Sequence, residues 1–299
     1  MISILVNLNH MLGSIKPVVI EEPEHYELRL ISKKVGELPT DLRDLVLKDL
    51  LPRNVFTEDQ ILQMDYALDG TRPKKWINKI VVEAGGWKFG KSIDGSKPKY
   101  ITQPGWRLAK YGFVGEDTID KSSPVILTEG VLDYHSLPIR KCMMSPGTSG
   151  MFNDRVFKLG SEFTLIEVPD SDIAGVEAFL RLVNKNMLPP DTKMLFCFVY
   201  WITKHIGDDI NDLLAKYGYD RESAYKVLNS KALPAVMALS KLRDSFNIVH
   251  TKAKGWIVSK ENKPDGRTKF SPDDKNSGTR DTSKPKKGKP GRDDSLSWF

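Results

Sequence analysis

With 299 residues, 40% of them hydrophobic and 28% charged, the chain can bury one large core or two modest ones and is neither fibrous nor wholly unfolded. A formal net charge of +6 and a sequence pI of about 9.0 favour an anionic partner such as nucleic acid. Cys142 and Cys197 lie in apolar runs with no CxxC or Cys/His cluster, which argues against a zinc site, and no apolar run approaches a membrane span.

Met1–Leu12 is apolar in part but lacks a basic start and a cleavage site, so it is not read as a signal peptide, and the expected compartment is the cytoplasm. Val18–Ile20 or Leu28–Ile31 is expected to form a short strand. Asp41–Leu51 carries Leu42, Leu45, Val46 and Leu50 at helical spacing behind a Thr40 cap, and Pro52 stops it. Thr57-Glu58-Asp59-Gln60 has the form of a capping box, opening a helix that Leu62 and Met64 to Leu68 carry inward. Asp69–Lys79 is basic, with Trp76 among Arg72, Lys74, Lys75 and Lys79. Ile80–Val82 and Trp87–Ile93 read as a hairpin turning at Gly85-Gly86. Ser96-Lys97-Pro98-Lys99-Tyr100 is a basic segment kept out of a helix by its prolines and glycines, and Arg107, Lys110 and Tyr111 follow it.

From Pro124 strands and helices alternate. The expected strands are Val125–Leu127, Lys141–Met144, Phe163–Val168 and Met194–Tyr200. The expected helices are Val131–Leu137, Phe152–Leu159, Ala174–Val183 and Ile210–Tyr217, with a loop at Pro146–Gly150. Such alternation predicts an α/β fold with a parallel sheet and covering helices. Tyr225–Phe246 reads as helical with a break near Pro234. From about Ser259 the composition is Lys, Asp, Gly, Pro, Ser and Thr, too poor in apolar residues to fold, until Asp293-Asp294-Ser295-Leu296-Ser297-Trp298-Phe299 closes the chain.

Three apolar runs end in carboxylates: Glu129-Gly130 with Asp133, then Asp170-Ser171-Asp172, then Asp208-Asp209-Ile210-Asn211-Asp212. Strands of a parallel sheet point one way, so these ends are expected along one edge. Carboxylates gathered there repel unless a cation lies between them, and an oxygen-only set suits Mg²⁺. Each cluster alone reads equally well as helix capping.

As a set, Glu129-Gly130-x-x-Asp133, Pro169-Asp170-Ser171-Asp172-x-Ala174-Gly175 and Asp209-x-Asn211-Asp212-Leu213-Leu214 resemble the Toprim domain of bacterial-type primases, topoisomerases and some nucleases, over roughly Pro124 to Gly218. Ser96–Pro104 resembles the basic segment ahead of that domain in bacterial (DnaG-type) primases; the strands and glycine turn of Trp76–Gly90, and Lys110-Tyr111-Gly112, fit the same region.

The resemblance implies a Toprim-type parallel sheet with flanking helices, preceded by a mixed α+β basic subdomain and followed by a disordered tail. The expected division is 1–120, a basic template- and nucleotide-binding subdomain; 121–222, the catalytic domain; 223–258, a helical extension; and 259–299, the tail. It implies a DNA primase that makes short RNA primers on single-stranded DNA from ribonucleoside triphosphates in phage or plasmid replication. Glu129, Asp170, Asp172 and Asp209 would hold Mg²⁺ (or Mn²⁺), with no zinc. Glu129, Asp170 and Lys99 would be catalytic, and Lys91, Lys97, Lys99, Arg107 and Lys110 would bind template and nucleotides. Trp76, Trp87 or Trp106 would stack on bases or serve the core.

Departures from that pattern are Pro169 in place of a bulkier apolar residue, Asn211 in place of an acid, and no cysteine-rich zinc module or GxxxxGK[ST] loop. Leu296, Trp298 and Phe299 resemble the leucine-plus-aromatic peptides that dock on sliding clamps. With the acids before them they are also similar to the tips of single-strand-binding proteins. The expected partners of the tail are a clamp, such a protein or a replicative helicase, and no membrane. The alternatives are a Toprim nuclease or repair protein, and a non-catalytic replication adaptor.

Overall fold

The computed structural model describes residues 27–106, 108–146, 154–185, 188 and 192–259. The chain divides into two compact units, Met1–Lys263 and Pro264–Phe299, and every described residue lies in the first.

The first part of that unit is built on an antiparallel sheet of β1 (Ser32–Lys34), β2 (Asp65–Ala67), β3 (Lys79–Ala84), β4 (Trp87–Ser92) and β5 (Tyr100–Thr102), hydrogen-bonded in that order. Alternation along β3 serves two cores. Ile80, Val82 and Ala84 enter the main one, and Val81 packs with Trp76 and Ile101 in a small second one on the other face. Trp76 is fully buried there, which removes it as a base-stacking partner.

Two helices cover the sheet's start, α1 (Thr40–Leu50) and α2 (Glu58–Leu62). Thr57 caps α2 through the expected reciprocal box: its hydroxyl accepts from the Gln60 N–H, and the Gln60 side chain accepts from the Thr57 N–H. The cap of α1 differs from expectation, because Pro39 holds that position and Thr40 is already helical. The apolar run after Leu62 does not continue α2. Asp65–Ala67 is drawn into strand β2 between β1 and β3, where tertiary pairing outweighs helical spacing. Likewise the first strand among the described residues is Ser32–Lys34, one step beyond Leu28–Ile31, and Val18–Ile20 lies outside those residues.

After the short helix α3 (Leu108–Tyr111), the chain enters a four-stranded parallel sheet of β6 (Val125–Thr128), β7 (Cys142–Met144), β8 (Leu165–Glu167) and β9 (Met194–Phe196), in the order β7-β6-β8-β9. The connections hold α4 (Val131–His135), α5 (Asp154–Glu162) and α6 (Ile173–Asn184). The chain then continues through α7 (Tyr200–Thr203), α8 (Ile210–Ala215), α9 (Arg221–Lys231) and α10 (Ala235–Phe246). Covered on both faces, β6 is buried along its whole length, which is why it reads as a continuous apolar run. Residues 197–200, expected as strand, instead turn into α7. Phe196 closes β9 with an antiparallel bridge to Leu233, and on the far edge Met144 of β7 bridges Val114.

A hairpin of β10 (Ile248–Thr251) and β11 (Gly255–Val258), absent from the sequence reading, follows Asn247 in the left-handed region. It is tied to α6 by the Asn184 side chain, whose oxygen accepts from the Trp256 N–H and whose nitrogen donates to the Trp256 carbonyl, both at 2.7 Å. Among the described residues no helix is long and apolar enough to cross a membrane.

The ring of Phe179 on α6 meets Phe196 and Phe198 edge-on, at centroid distances of 5.0 and 5.7 Å. Phe179→Ala should therefore cost about 3–5 kcal/mol of unfolding free energy in a urea titration, with the secondary structure seen by circular dichroism kept in the absence of urea.

Candidate active site

Leu127, Glu167 and Phe196 share one rung across β6, β8 and β9. Beyond it the chain leaves both central strands through acids, Glu129 after β6 and Asp170 after β8. Asp133 stands in the first turn of α4 and Asp209 at the start of α8. The four carboxylates line one cleft of about 370 Å³ together with Arg53, Phe89, Lys99 and Tyr100.

Local structure fixes each acid. Ser171 is buried; its hydroxyl accepts from the Tyr200 N–H at 3.0 Å and its carbonyl from the Gly207 N–H at 2.9 Å. Gly175 lies so close to the backbone of Asp170 that any Cβ would collide with the Asp170 carbonyl, so the acid sits directly on the first turn of α6. Asp172 caps that helix, its Oδ1 accepting from the Gly175 N–H at 2.9 Å. Asp209 caps α8 in a reciprocal box with Asp212. Asp133 accepts from the Asn211 N–H at 3.0 Å, tying α4 to α8, and Gly130 leaves room for it, since a Cβ there would lie 2.7 Å from Asp133 Oδ2.

Burial, then the charges of Asp170 and Asp172, push the Glu129 carboxyl up to about 8. Burial also raises Asp170, with Asp172 and Asp209 adding and Lys99 opposing. Asp133 is held well above the usual carboxylate range by burial, then by Asp209 and Asp170. Asp209 is raised by burial and by Asp212. Burial likewise raises the Tyr100 phenol; the Arg53 charge opposes, and Asp133, Asp209 and Asp49 add to the rise. The same two causes recur, partial burial and the charge of neighbouring acids.

Among the described residues no three His, Cys, Asp or Glu side chains draw close enough to hold one ion together. A dry cage of the Ca²⁺ or Zn²⁺ kind does not match this arrangement. Mg²⁺ differs in general from both, keeping several waters and taking one or two carboxylates plus substrate oxygens.

Of the residues named from sequence, Glu129, Asp170, Asp209 and Lys99 line the cleft. Asp172 serves as the α6 cap beside it, its charge felt by Glu129 and Asp170. Lys91 corrects the expectation: it is 1% exposed and its ammonium is paired with Asp49, so it is a structural cation. Lys97 and Lys110 are exposed and outside the cleft lining, the latter with its ammonium 4.9 Å from the Tyr111 ring. Trp87 also packs on Tyr111, with ring centroids 4.9 Å apart. Arg107, Leu296, Trp298 and Phe299 lie outside the described residues.

Arg53 was not singled out in the sequence. Its Nη1 donates to Asn211 Oδ1 at 3.2 Å, its Nη2 lies 3.7 Å from Asp49 Oδ1, and its carbonyl accepts from Asn211 Nδ2 at 3.0 Å. The only signal was its place between a helix stop at Pro52 and a cap at Thr57, a loop position with no marker of charge partners.

No family model matches the chain, and no curated protein does. Among solved structures, the RNA polymerase domain of the Mycobacterium tuberculosis primase DnaG, in complex with a double-stranded DNA oligomer with a 6-nucleotide overhang, is similar with a TM-score of 0.44 and 17% identity over 74% of this chain and 77% of its own. A DNA primase domain from Pseudomonas aeruginosa gives 0.42 and 15% over 70% and 66%. The Escherichia coli primase catalytic core gives 0.42 and 17% over 70% and 75%. Likeness of this degree assigns neither family nor activity to the chain.

The Glu129 shift carries a stability consequence. Between about 4.5 and about 8 the folded state keeps a proton that the unfolded chain releases. The stabilisation from the protonated form is complete below that window and is lost as pH rises through it. Glu129→Gln should flatten this fall and, at pH 8.5 in EDTA, be more stable than the parent by about 1 kcal/mol or more, read by urea denaturation across pH.

Proposed function

We propose that the chain is a DNA primase: a nucleotidyltransferase that joins ribonucleotides into short primers on a single-stranded DNA template. The observation that carries this reading is the one cleft that brings Glu129, Asp133, Asp170 and Asp209 together with Arg53, Lys99 and Tyr100. The motif set from Glu129 to Leu214, with the Ser96–Pro104 segment, supports the Toprim primase pattern in particular.

Phosphoryl transfer of this kind depends on positioning and charge neutralisation more than on covalent help. Glu129, Asp170 and Asp209 would hold Mg²⁺, with Asp172 adding its charge. The chemistry Mg²⁺ supplies when bound is neutralisation of the triphosphate and activation of the attacking 3′-hydroxyl. Lys99 and Arg53, in the same cleft, would present positive charge to phosphate oxygens, and the Tyr100 ring an aromatic face to a base. The exposed Lys97 and Lys110 would follow the template backbone.

Incubation with single-stranded DNA, the four ribonucleoside triphosphates and Mg²⁺ tests this, with products resolved by length. Short RNA is the expected product; shortened DNA would mean a nuclease instead, and binding with neither product an adaptor. Glu129→Gln and Asp170→Asn should each lower RNA synthesis by about 100-fold or more, whereas Lys99→Ala should raise the KM for template or nucleotide by about tenfold.

A further inference from the structure

The β10–β11 hairpin takes no part in the cleft, since none of its residues lines it. Residues 247–258 include His250, Lys252 and Lys254 and no Asp or Glu. Lys252 and Lys254 are exposed in the turn between Thr251 and Gly255, which the Lys254 N–H fixes by donating to Thr251 Oγ1 at 3.1 Å. Arg243, exposed on α10, lies over the Trp256 ring at 5.3 Å from its centroid. His250, cross-strand from Trp256, makes a T-shaped contact with the same ring, with centroids 4.9 Å apart. Among the described side chains, none of Arg243, Lys252 and Lys254 has a carboxylate within ion-pair distance.

This platform is held in place by main-chain atoms. Asn184 on α6 grips the Trp256 N–H and carbonyl, at 2.7 Å each. Gly255 has φ +68, and a Cβ there would lie 2.5 Å from Asn184 Oδ1, so the glycine is what lets the grip close. Trp256 is half-buried against the core. Packing accounts for the buried part of the indole; it does not account for cations set over it and beyond it with no acid to neutralise them. Such cations beside an aromatic ring suit a strand of nucleic acid. Lysines meet phosphates, and a base stacks on an indole or on a guanidinium plane. An acidic peptide would use the charges and leave the planar groups idle.

We infer that the β10–β11 hairpin, with Arg243, is a contact for single-stranded nucleic acid apart from the cleft. Lys252 and Lys254 bind backbone phosphates, and Arg243 and Trp256 offer planar groups to a base. In the primase reading that strand is the template, but the contact uses none of the cleft's residues.

Fluorescence anisotropy of a labelled oligothymidylate of about 20 nucleotides, titrated with the full chain at several salt concentrations, tests this. The triple variant Arg243→Gln, Lys252→Gln, Lys254→Gln loses three charges, so its slope of log affinity against log salt should be shallower by about 2. Trp256→Ala keeps the main-chain grip of Asn184. It should bind about fivefold more weakly or worse at every salt concentration, with the slope of the parent. Folding is checked by circular dichroism and thermal unfolding; the triple variant changes only exposed side chains and decides the matter if Trp256→Ala does not fold. Parent-like affinity and slope in the folded triple variant overturn the inference, as does an equal loss of binding to polyglutamate, which would mark a generic polyanion surface. RNA synthesis is read separately, so the primase reading stands or falls on its own assay.

Discussion

The structure is governed by like charge gathered in one cleft. Glu129, Asp133, Asp170 and Asp209 converge because β6 and β8 point the same way and α4 and α8 start at the same edge. Such crowding opposes folding. The chain tolerates it because backbone geometry leaves the acids nowhere else to go: Asp170 is pressed against Gly175, Asp133 is bonded to the Asn211 amide, and Asp209 is closed in a capping box. The capping explanation and the functional one are thus compatible. Asp172 and Asp209 are caps, and both still contribute their charge to the cleft.

The second constraint is the seam between the two halves. Lys91, from the antiparallel sheet, neutralises Asp49; Asp49 approaches Arg53; Arg53 bonds Asn211; and Asn211 donates its amide to Asp133. Asn54 and Arg221 add side-chain bonds to the Leu214 and Val55 carbonyls. Asn211, which stands out in sequence as an amide where an acid is usual, has a reason here. It is buried, it accepts from Arg53 and donates to the Arg53 carbonyl, and a carboxylate could not do both.

Much of this was readable in the sequence where the signal was periodic or positional. The parallel strands announced themselves as short apolar runs, and the acids at their ends followed from one rule about strand direction. Thr57 and Gln60 were found because a capping box is a local device. The failures share a physical type. Asp65–Ala67 became strand because two neighbours paired with it; Lys91 was buried because Asp49, distant in sequence, came to meet it; and Arg53 acquired its place through Asn211. Contacts between distant residues decided those cases.

The outer rims of the parallel sheet repay a last look. Leu233 takes the free backbone groups of Phe196 on one side, and Val114 those of Met144 on the other, each through a reciprocal pair of hydrogen bonds. Unpaired rims are where sheets recruit foreign chains. Single residues of the same polypeptide thus hold part of each flank of this sheet. A molecule that paired with this sheet at those residues would first have to displace the bridges, whereas one bound through side-chain surfaces leaves the strand ladder, and the acids set at its end, undisturbed.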